Sequence, residues 1–414
     1  MNTIDTDYLV VGAGAAGMAF TDALIAECDA DVVMVERRDA PGGHWNDAYP
    51  FVRLHQPSAT YGVNSRELGT GAIDAAGSDT GFYERATAAE ICGYYRRVMD
   101  EVLLPSGQVR FFGMSDYVGD WAAEHVFRSR LTGAATRVRV RRRVVDTTYL
   151  ESSVPATHTP AFAVDPQVRF FPVGELVHLA EAPAGFTILG GGKTAMDACY
   201  WLLVNGVEPD RIRWVRPRDS WVIPRAYFQP RRLLAGSLEG FALALEHLAA
   251  ATSVDELYER LEGCGLARRF DSRVTPSMFR GAILSAAECE ALSQIEQVVR
   301  LGRIRRIGAD RIVLEHGEIP TDRQQVHVDC TARAFKVNPE RTIYEPGRIT
   351  TQGLVGGFTS FSSAAIGFVE AARSDDAERN RLCLPVSPLD RPADWIRAYR
   401  GMIHTTVRNA AEPD

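Results

Sequence analysis

Short apolar runs that end in glycine and lead into helically spaced apolar positions occur twice in this chain. In the first, Tyr8 to Val11 stops at Gly12, Gly14 and Gly17, and Ala16, Ala19, Phe20 and Ala23 then recur at helical spacing. A second run, Val32 to Val35, ends in Glu36. The pattern predicts strand, glycine turn, helix, strand and terminal acid. In the second occurrence Phe186 to Leu189 stops at Gly190 and Gly192, with Ala195 in the third place. A helix follows, and then a strand, Ile212 to Val215, which ends in Arg216 and Arg218.

Between and after these units the pattern changes. Residues 40–68 are rich in turn formers and aromatics without a period, which predicts an ordered loop packed on a ligand. Thr87 and Glu90 form a capping box ahead of Ile91, Tyr94, Tyr95 and Val98, an amphipathic helix. VRFF at 109–112 reads as a strand, and two further strands flank a turn at Gly133. The arginines at 137, 139, 141, 142 and 143 alternate as the wet face of an antiparallel strand does. Residues 225–297 break the rhythm and predict a helical insertion. Leu238, Phe241, Leu245 and Leu248 make its stripe, the pairs Ser253–Glu256 and Ser285–Glu288 cap its helices, and Tyr227, Phe228, Met278 and Phe279 read as core. IRRIGADRIVLEHG predicts a strand pair, VHVDC a strand, the stretch from Gly353 a small-residue loop opening a helix near Ser363, and Trp395 to Ile403 a short helix.

Composition narrows the function. The 414 residues carry a net charge of −7, which gives no general attraction to nucleic acid or anionic membrane. No apolar run approaches the roughly 18 residues of a span, and Asp5 and Asp7 replace the basic start of a signal peptide. The seven cysteines are scattered without metal or redox spacing, so the expectation is a cytoplasmic protein with no metal site. Only Lys193 and Lys336 are lysines, which gives the first, inside a glycine turn, added interest.

The chemistry follows from the turns. A glycine turn that opens a helix points N–H groups at a pyrophosphate, and an acid closing the next strand accepts from a ribose diol. Arginine at that place suits a 2′-phosphate instead. The first unit therefore predicts a dinucleotide with a free ribose and the second predicts NADPH. Lys193 is placed to reach a phosphate.

On these residues, with PGGHW at 41–45, GGGKTA at 190–195 and the VDCTA strand end, the chain resembles flavoproteins with two dinucleotide-binding domains, most closely the class B flavin-dependent monooxygenases. The resemblance implies an α/β fold of two Rossmann-like domains, the second carrying the insertion at 225–297. The FAD-binding domain would comprise residues 1–160 and 325–414, and the NADPH-binding domain residues 161–324. FAD would lie on Gly12, Ala13, Gly14, Ala15, Ala16, Gly17, Glu36 and Arg37, along Gly42, Gly43, His44 and Trp45, and against Ser362 and Ser363. NADPH would lie on Gly190, Gly192, Lys193, Thr194, Arg216 and Arg218. The linker fingerprint is incomplete: Gly174 and His178 have family-like spacing without the aromatic–basic end. In place of the family's flavin-side asparagine the chain offers His55 and Gln56, the candidate catalytic groups at the flavin edge. The implied activity is NADPH-consuming monooxygenation of a small organic substrate with molecular oxygen, through a flavin C4a-(hydro)peroxide. The alternatives are a flavin reductase or dehydrogenase without oxygen insertion, and a protein in which FAD is structural.

Overall fold

A computed structural model describes residues 1–121, 123–333, 338–354, 358–386 and 388–410. Lys336, residues 355–357 of the last glycine-rich loop and the tail from 411 lie outside the described residues. In chain order the elements begin with β1 (Asn2–Val11), α1 (Ala15–Glu27), β2 (Val32–Val35), α2 (Ala88–Val98), β3 (Val109–Phe112), β4 (Ser115–Tyr117), β5 (His125–Ser129) and β6 (Ala135–Asp146). The middle holds β7 (Ala163–Val164), β8 (Arg169–Pro172), β9 (Gly185–Leu189), α3 (Lys193–Val204), β10 (Ile212–Val215), β11 (Ile223–Pro224), α4 (Leu234–Ala250), α5 (Val254–Gly263), β12 (Ile283–Leu284), α6 (Ala286–Ser293) and β13 (Val298–Val299). The rest is β14 (Ile304–Ile307), β15 (Arg311–Leu314), β16 (Gly317–Pro320), β17 (Gln325–Asp329), β18 (Tyr344–Glu345), β19 (Arg348–Thr350), α7 (Thr359–Ala372), α8 (Asp376–Leu382) and α9 (Pro392–Ala410).

Two parallel sheets carry the two units. The first has the order β18-β19-β6-β1-β2-β3, with β5 antiparallel on β6 and β4 on β5. Every residue of β2 is buried, as a strand covered on both faces requires. The second sheet runs β13-β10-β9-β17-β8, all parallel. Strand β17 thus belongs to the second sheet, and the boundary expected at 325 falls one strand early; the chain rejoins the first sheet at β18. The predicted pair at 304–314 forms as β14 and β15 in a separate four-stranded sheet. The arginines of β6 are met by acids: Arg137 by Glu124 at 2.7 Å, Arg141 by Asp7 at 2.9 Å, and half-buried Arg143 by Asp376 at 2.6 Å and Glu370 at 3.2 Å.

Helix α7 lies across α1 at very close range. A β-carbon on Gly367 would stand 2.5 Å from the carbonyl oxygen of Phe20. Tyr8 donates to Glu370 at 2.8 Å from the strand beneath, pinning the pair of helices to β1.

The capping boxes at Thr87 and Ser285 form with both reciprocal bonds. At Ser253 only the serine half forms, because Glu256 turns back to the N–H of Thr252 at 2.8 Å. Of the stripe predicted for α4, Phe241, Leu245 and Leu248 are partly buried and Leu238 turns out. Leu238 is 58% exposed, and the residues that bury are Gly240 and Ala244. Gly240 presses on the Tyr227 ring, which leaves no room for a larger side chain and sets which face of α4 turns inward. By length and composition alone the helix Arg231–Ala250 is long and apolar enough to cross a membrane, with mean hydropathy 1.3 over an 18-residue window that is 11% buried, although Glu239 and Glu246 interrupt its apolar run.

A buried quartet of charges ties this insertion to the loop at 54–56. Asp79 pairs with Arg85 and Arg225, and Glu288 pairs with Arg225 at 2.8 Å and Arg85 at 3.3 Å. The two cations offset the two anions. The remaining donors reach backbone: Arg85 donates to Leu54 O at 2.9 Å, Arg225 to His55 O at 3.3 Å and to Ile283 O at 3.1 Å. Glu288 also accepts the N–H of Ser285 at 2.8 Å, so the capping acid of α6 doubles as an ion-pair partner. Burial alone would raise its pKa, but Lys193, Arg225 and Arg85 outweigh it and hold the carboxyl at about 2.

Two outcomes are expected. Gly367→Ala should cost about 1–3 kcal/mol by overpacking, read as a lower denaturant midpoint with unchanged slope; an unchanged midpoint would show that α1 and α7 separate freely. Glu288→Gln should cost about 3–5 kcal/mol, because it strands buried guanidinium charge. The folded pKa of Glu288 lies below its unfolded value, so its contribution is complete above about pH 4.5 and fades toward pH 2. Unfolding free energies of the variant should therefore vary less with pH across that window than those of the parent chain.

Candidate functional site

Both glycine turns open onto one cavity of about 1400 Å³. On the first turn Gly12 takes φ +103°, a value open to glycine, and a β-carbon there would meet Thr147 Oγ1 at 2.6 Å. A β-carbon on Gly17 would stand 2.0 Å from Gly12 O, so α1 can pack on β1 only with glycine there. Helix α1 starts on Gly14 and α3 on Gly192, neither with a side-chain cap. Apart from Ala195, whose N–H donates to Gly192 O at 3.1 Å, their first-turn N–H groups have no side-chain cap and are open to whatever fills the cavity. No atom lies within 4 Å of a β-carbon built on Gly192, so that turn has open space for a ligand.

Glu36 is buried at the cavity wall, held by the N–H groups of Ala13 at 2.8 Å and Arg38 at 3.0 Å. One such bond to each oxygen fixes the carboxylate while leaving lone pairs toward the cavity. Arg37 lines the same wall and pairs with Glu151 at 2.9 Å. The loop from Gly42 folds as a tight turn against the first one. A β-carbon on Gly43 would stand 2.9 Å from Gly14 Cα. His44 and Trp45 line the cavity, and Trp45 donates to Tyr61 at 2.7 Å. Trp45 also packs against the cores of both sheets.

The cavity lining includes Gly12, Gly14, Ala15, Ala16, Glu36, Arg37, Gly43, His44, Trp45, His55 and Gln56 from the first expectation. It includes Gly190, Gly192, Lys193, Thr194, Arg218 and Ser363 from the second unit and the last loop. Ala13 and Gly17 stand behind the turn in the core and in the helix–strand contact. Two residues, Arg216 and Ser362, are placed differently from expectation, and Lys193 lies where expected with an acid beside it. Arg216 is buried under the turn, 4.5 Å over Trp214 and 5.3 Å from Phe270, and paired with Asp219 at 2.7 Å. Burial pushes its pKa down to about 10. Ser362 is buried and spends its hydroxyl on Leu354 N at 3.0 Å and Phe358 O at 2.8 Å, fixing the entry to α7. Lys193 lines the cavity but pairs with Asp197, which also accepts from Tyr49 at 2.7 Å.

Burial lowers the pKa of both cavity histidines. His44 falls to about 4, with Arg38 adding to the effect of desolvation. His55 falls well below its usual value, because Lys193, Arg225 and Arg85 all reinforce burial. Both imidazoles are neutral near pH 7.

Sequence reasoning missed two features of this cavity. One is an apolar chamber between α4, α5 and α9, walled by Phe241, Ala244, Tyr258, Leu389, Trp395 and Tyr399. Rings there contact one another, Trp395 with Tyr399 at 4.1 Å and Phe241 with Tyr399 at 5.2 Å. Tyr227, Phe228, Met278 and Phe279 belong to the same wall, so residues expected only as core also face the cavity. The other is the set of arginines beside Arg218, which come from segments without a glycine signature.

Comparison with known proteins extends this picture. The description "NAD(P)-binding Rossmann-like domain" matches residues 10–64. Among solved structures, a flavin-containing monooxygenase from Stenotrophomonas maltophilia superposes with a TM-score of 0.52 at 12% identity, covering 90% of this chain and 98% of that one. A cyclohexanone monooxygenase from Rhodococcus sp. Phi1 bound to NADP+ gives 0.54 at 13%, covering 90% and 83%. An oxidized steroid monooxygenase bound to NADP gives 0.53 at 13%, covering 89% and 86%. The chain thus has the two-Rossmann-domain fold of the flavin-dependent monooxygenases. The proteins named Uncharacterized protein Rv2000 of Mycobacterium tuberculosis and Uncharacterized protein Mb2023 of Mycobacterium bovis are each 44% identical to it over 413 residues, all of this chain and 76% of theirs. At that identity and coverage, the chain belongs to the same family as these mycobacterial proteins.

Proposed function

We propose that this chain is an FAD- and NADPH-dependent monooxygenase that oxidises a small organic substrate with molecular oxygen. The observation that carries the reading is the shared cavity. Two uncapped helix starts open into it, and beyond the second strand of each unit a side chain of opposite charge lines it, Glu36 directly after β2 and Arg218 three residues after β10. A carboxylate there suits a ribose diol, and a guanidinium suits a 2′-phosphate. The fold shared with flavin monooxygenases, two of which are described as NADP-bound, supports the same assignment.

In this reading the first sheet with residues 1–160 and the segment from β18 onward holds FAD, and residues 161–333 hold NADPH. Ala13 to Gly17 and Glu36 take the adenosine side of FAD, while Gly43, His44 and Trp45 lie along its flavin half. Gly190, Gly192, Thr194 and Arg218 take NADPH. The bound flavin supplies hydride acceptance from nicotinamide and reaction with oxygen. The chain supplies geometry and dryness. His55 and Gln56 sit on the cavity wall, and the quartet beneath holds their loop rigid through His55 O. Neutral His44 and His55 donate or accept single hydrogen bonds and do not serve as standing acids. The apolar chamber suits an uncharged, largely apolar substrate and keeps water from the reacting atoms.

The test is stopped-flow absorbance of the FAD-loaded chain. NADPH without oxygen should bleach the flavin, and mixing with aerated buffer plus an apolar substrate should give a transient near-ultraviolet band before reoxidation. No bleaching by NADPH would remove the reading. Bleaching followed by direct reoxidation, with substrate present, would replace it by a reductase or dehydrogenase. Gln56→Ala should lower the product formed per NADPH by about 2- to 10-fold, the worth of one neutral hydrogen bond, with flavin content unchanged. Full coupling in that variant would take Gln56 out of the flavin edge.

A further inference from the structure

Three guanidinium groups from separate segments converge on one carboxylate at the cavity wall. Arg218 follows β10, Arg280 precedes β12, Arg333 follows β17, and all three line the cavity. Asp390 accepts from Arg218 at 3.2 and 3.3 Å and from Arg280 at 2.7 and 2.9 Å. Arg333 stands 3.6 Å from the same carboxylate, too far for a good hydrogen bond. Among the described residues, one negative charge thus faces three positive ones. The strain on the cluster is visible in Arg280, whose pKa is lowered by burial and by its neighbours Arg218 and Arg333. All four side chains remain a quarter to a half exposed, so a solute in the cavity can reach them.

The carboxylate arrives from the last part of the chain. Asp390 accepts the N–H of Phe279 through its backbone oxygen at 2.9 Å, and Asp394 accepts the N–H groups of Asp390 and Arg391 at 3.1 and 2.8 Å. It is therefore joined firmly to the first turn of α9. The same segment contributes Leu389, Trp395 and Tyr399 to the apolar chamber.

We propose that Arg218, Arg280 and Arg333 together form a site for a dianionic phosphate monoester, the 2′-phosphate of NADPH, and that Asp390 is a resident stand-in that this phosphate displaces. The proposal rests on the NADPH reading above. A carboxylate offers two oxygens and one charge, and leaves Arg333 poorly served. A phosphate monoester offers three oxygens and up to two charges, which matches the cluster in number and balances its excess. Displacing Asp390 removes the side-chain anchor of the segment that walls the chamber, so NADPH occupancy loosens α9 where the substrate enters. NAD has no group to exchange for the carboxylate and leaves the segment in place.

The test is calorimetric titration of the full chain with NADP+ and NAD+, repeated for Asp390→Asn and Arg280→Gln, with hydrogen exchange followed across residues 388–401. Removing the internal competitor should tighten NADP+ about tenfold, and Arg280→Gln should weaken it by about as much, a coupling of ordinary size. NAD+ should change less than about twofold in both, well under that coupling. NADP+, and not NAD+, should speed exchange in 388–401 of the parent chain. If the parent chain prefers NADP+ but Asp390→Asn leaves that affinity unchanged or shifts both dinucleotides alike, the stand-in is overturned and the cofactor reading survives. If neither dinucleotide binds the parent chain or Asp390→Asn, the cofactor reading fails and takes this proposal with it. Should Arg280→Gln fail to fold, Arg333→Gln replaces it with the same expected loss.

Discussion

A β-carbon on Gly17 would stand 2.0 Å from the carbonyl oxygen of Gly12, and one on Gly43 would stand 2.9 Å from Gly14 Cα. Those two contacts set how near the first helix comes to its strand and how near the following loop comes to the turn. Much else is downstream of them. With α1 drawn onto β1, Gly14 starts the helix at the cavity wall, and Ala13 reaches Glu36 at 2.8 Å. With the 42–45 loop drawn onto the turn, Trp45 reaches across to the core of the second sheet. Backbone-to-backbone contact of this kind has almost no give, since no side chain is present to rotate away.

The second unit solves the same problem with less glycine. Gly190 takes φ +133° and lies against Cys330 O, and the indole of Trp214 donates to Gly190 O at 2.7 Å. Ala195 is fully buried at the place where the first unit needs glycine, so α3 has room for a methyl group. What joins the two units is charge as well as packing. Replacing the Asp79–Arg85–Arg225–Glu288 quartet by apolar groups would cost little in principle, because desolvation consumes most of what a buried ion pair gains. Its value is directional. Four side chains from three stretches of the chain agree on one arrangement, and it places His55 O and Leu54 O where the cavity wall requires them.

The parts of this chain legible in its sequence are those governed by local rules. Both strand–turn–helix units, the boxes at Thr87 and Ser285, the hairpin at Gly133 and the strand pair at 304–314 all depend on residues close in sequence. Misplacements came from contacts that no local pattern contains. The stripe of α4 reads as one inward face, yet with Gly240 against Tyr227 it is Leu238 that turns out while Phe241 and Leu248 stay partly buried. Arg216 and Arg218 look equivalent as strand-end arginines. Two chain positions of difference on a strand exit send the first under the turn onto Trp214 and the second to the cavity wall. Ser362 and Ser363 divide in the same way at the start of α7. Asp390 could not be read at all, since its meaning comes from three arginines that approach it from three separate segments.

Charge along the cavity is sorted by distance from the first turn. Near it, Glu36 has each oxygen engaged by a backbone N–H, and the two histidines have lost their protons to burial and neighbouring cations. Such a wall holds a ligand by fixed hydrogen bonds and contributes no group that changes protonation near neutral pH. Past Lys193, whose charge is answered by Asp197, the arginines outnumber the acids, and beyond them the wall becomes aromatic. Around Asp390, among the described residues, three arginines face one carboxylate. A guanidinium cluster left two charges in excess at a half-exposed wall is costly unless an anion spends part of its time there. The segment carrying Asp390 neutralises one charge and also closes the aromatic end. Whatever anion completes that neutralisation has to contend with the closure, which makes charge balance and access to the chamber one problem in this fold.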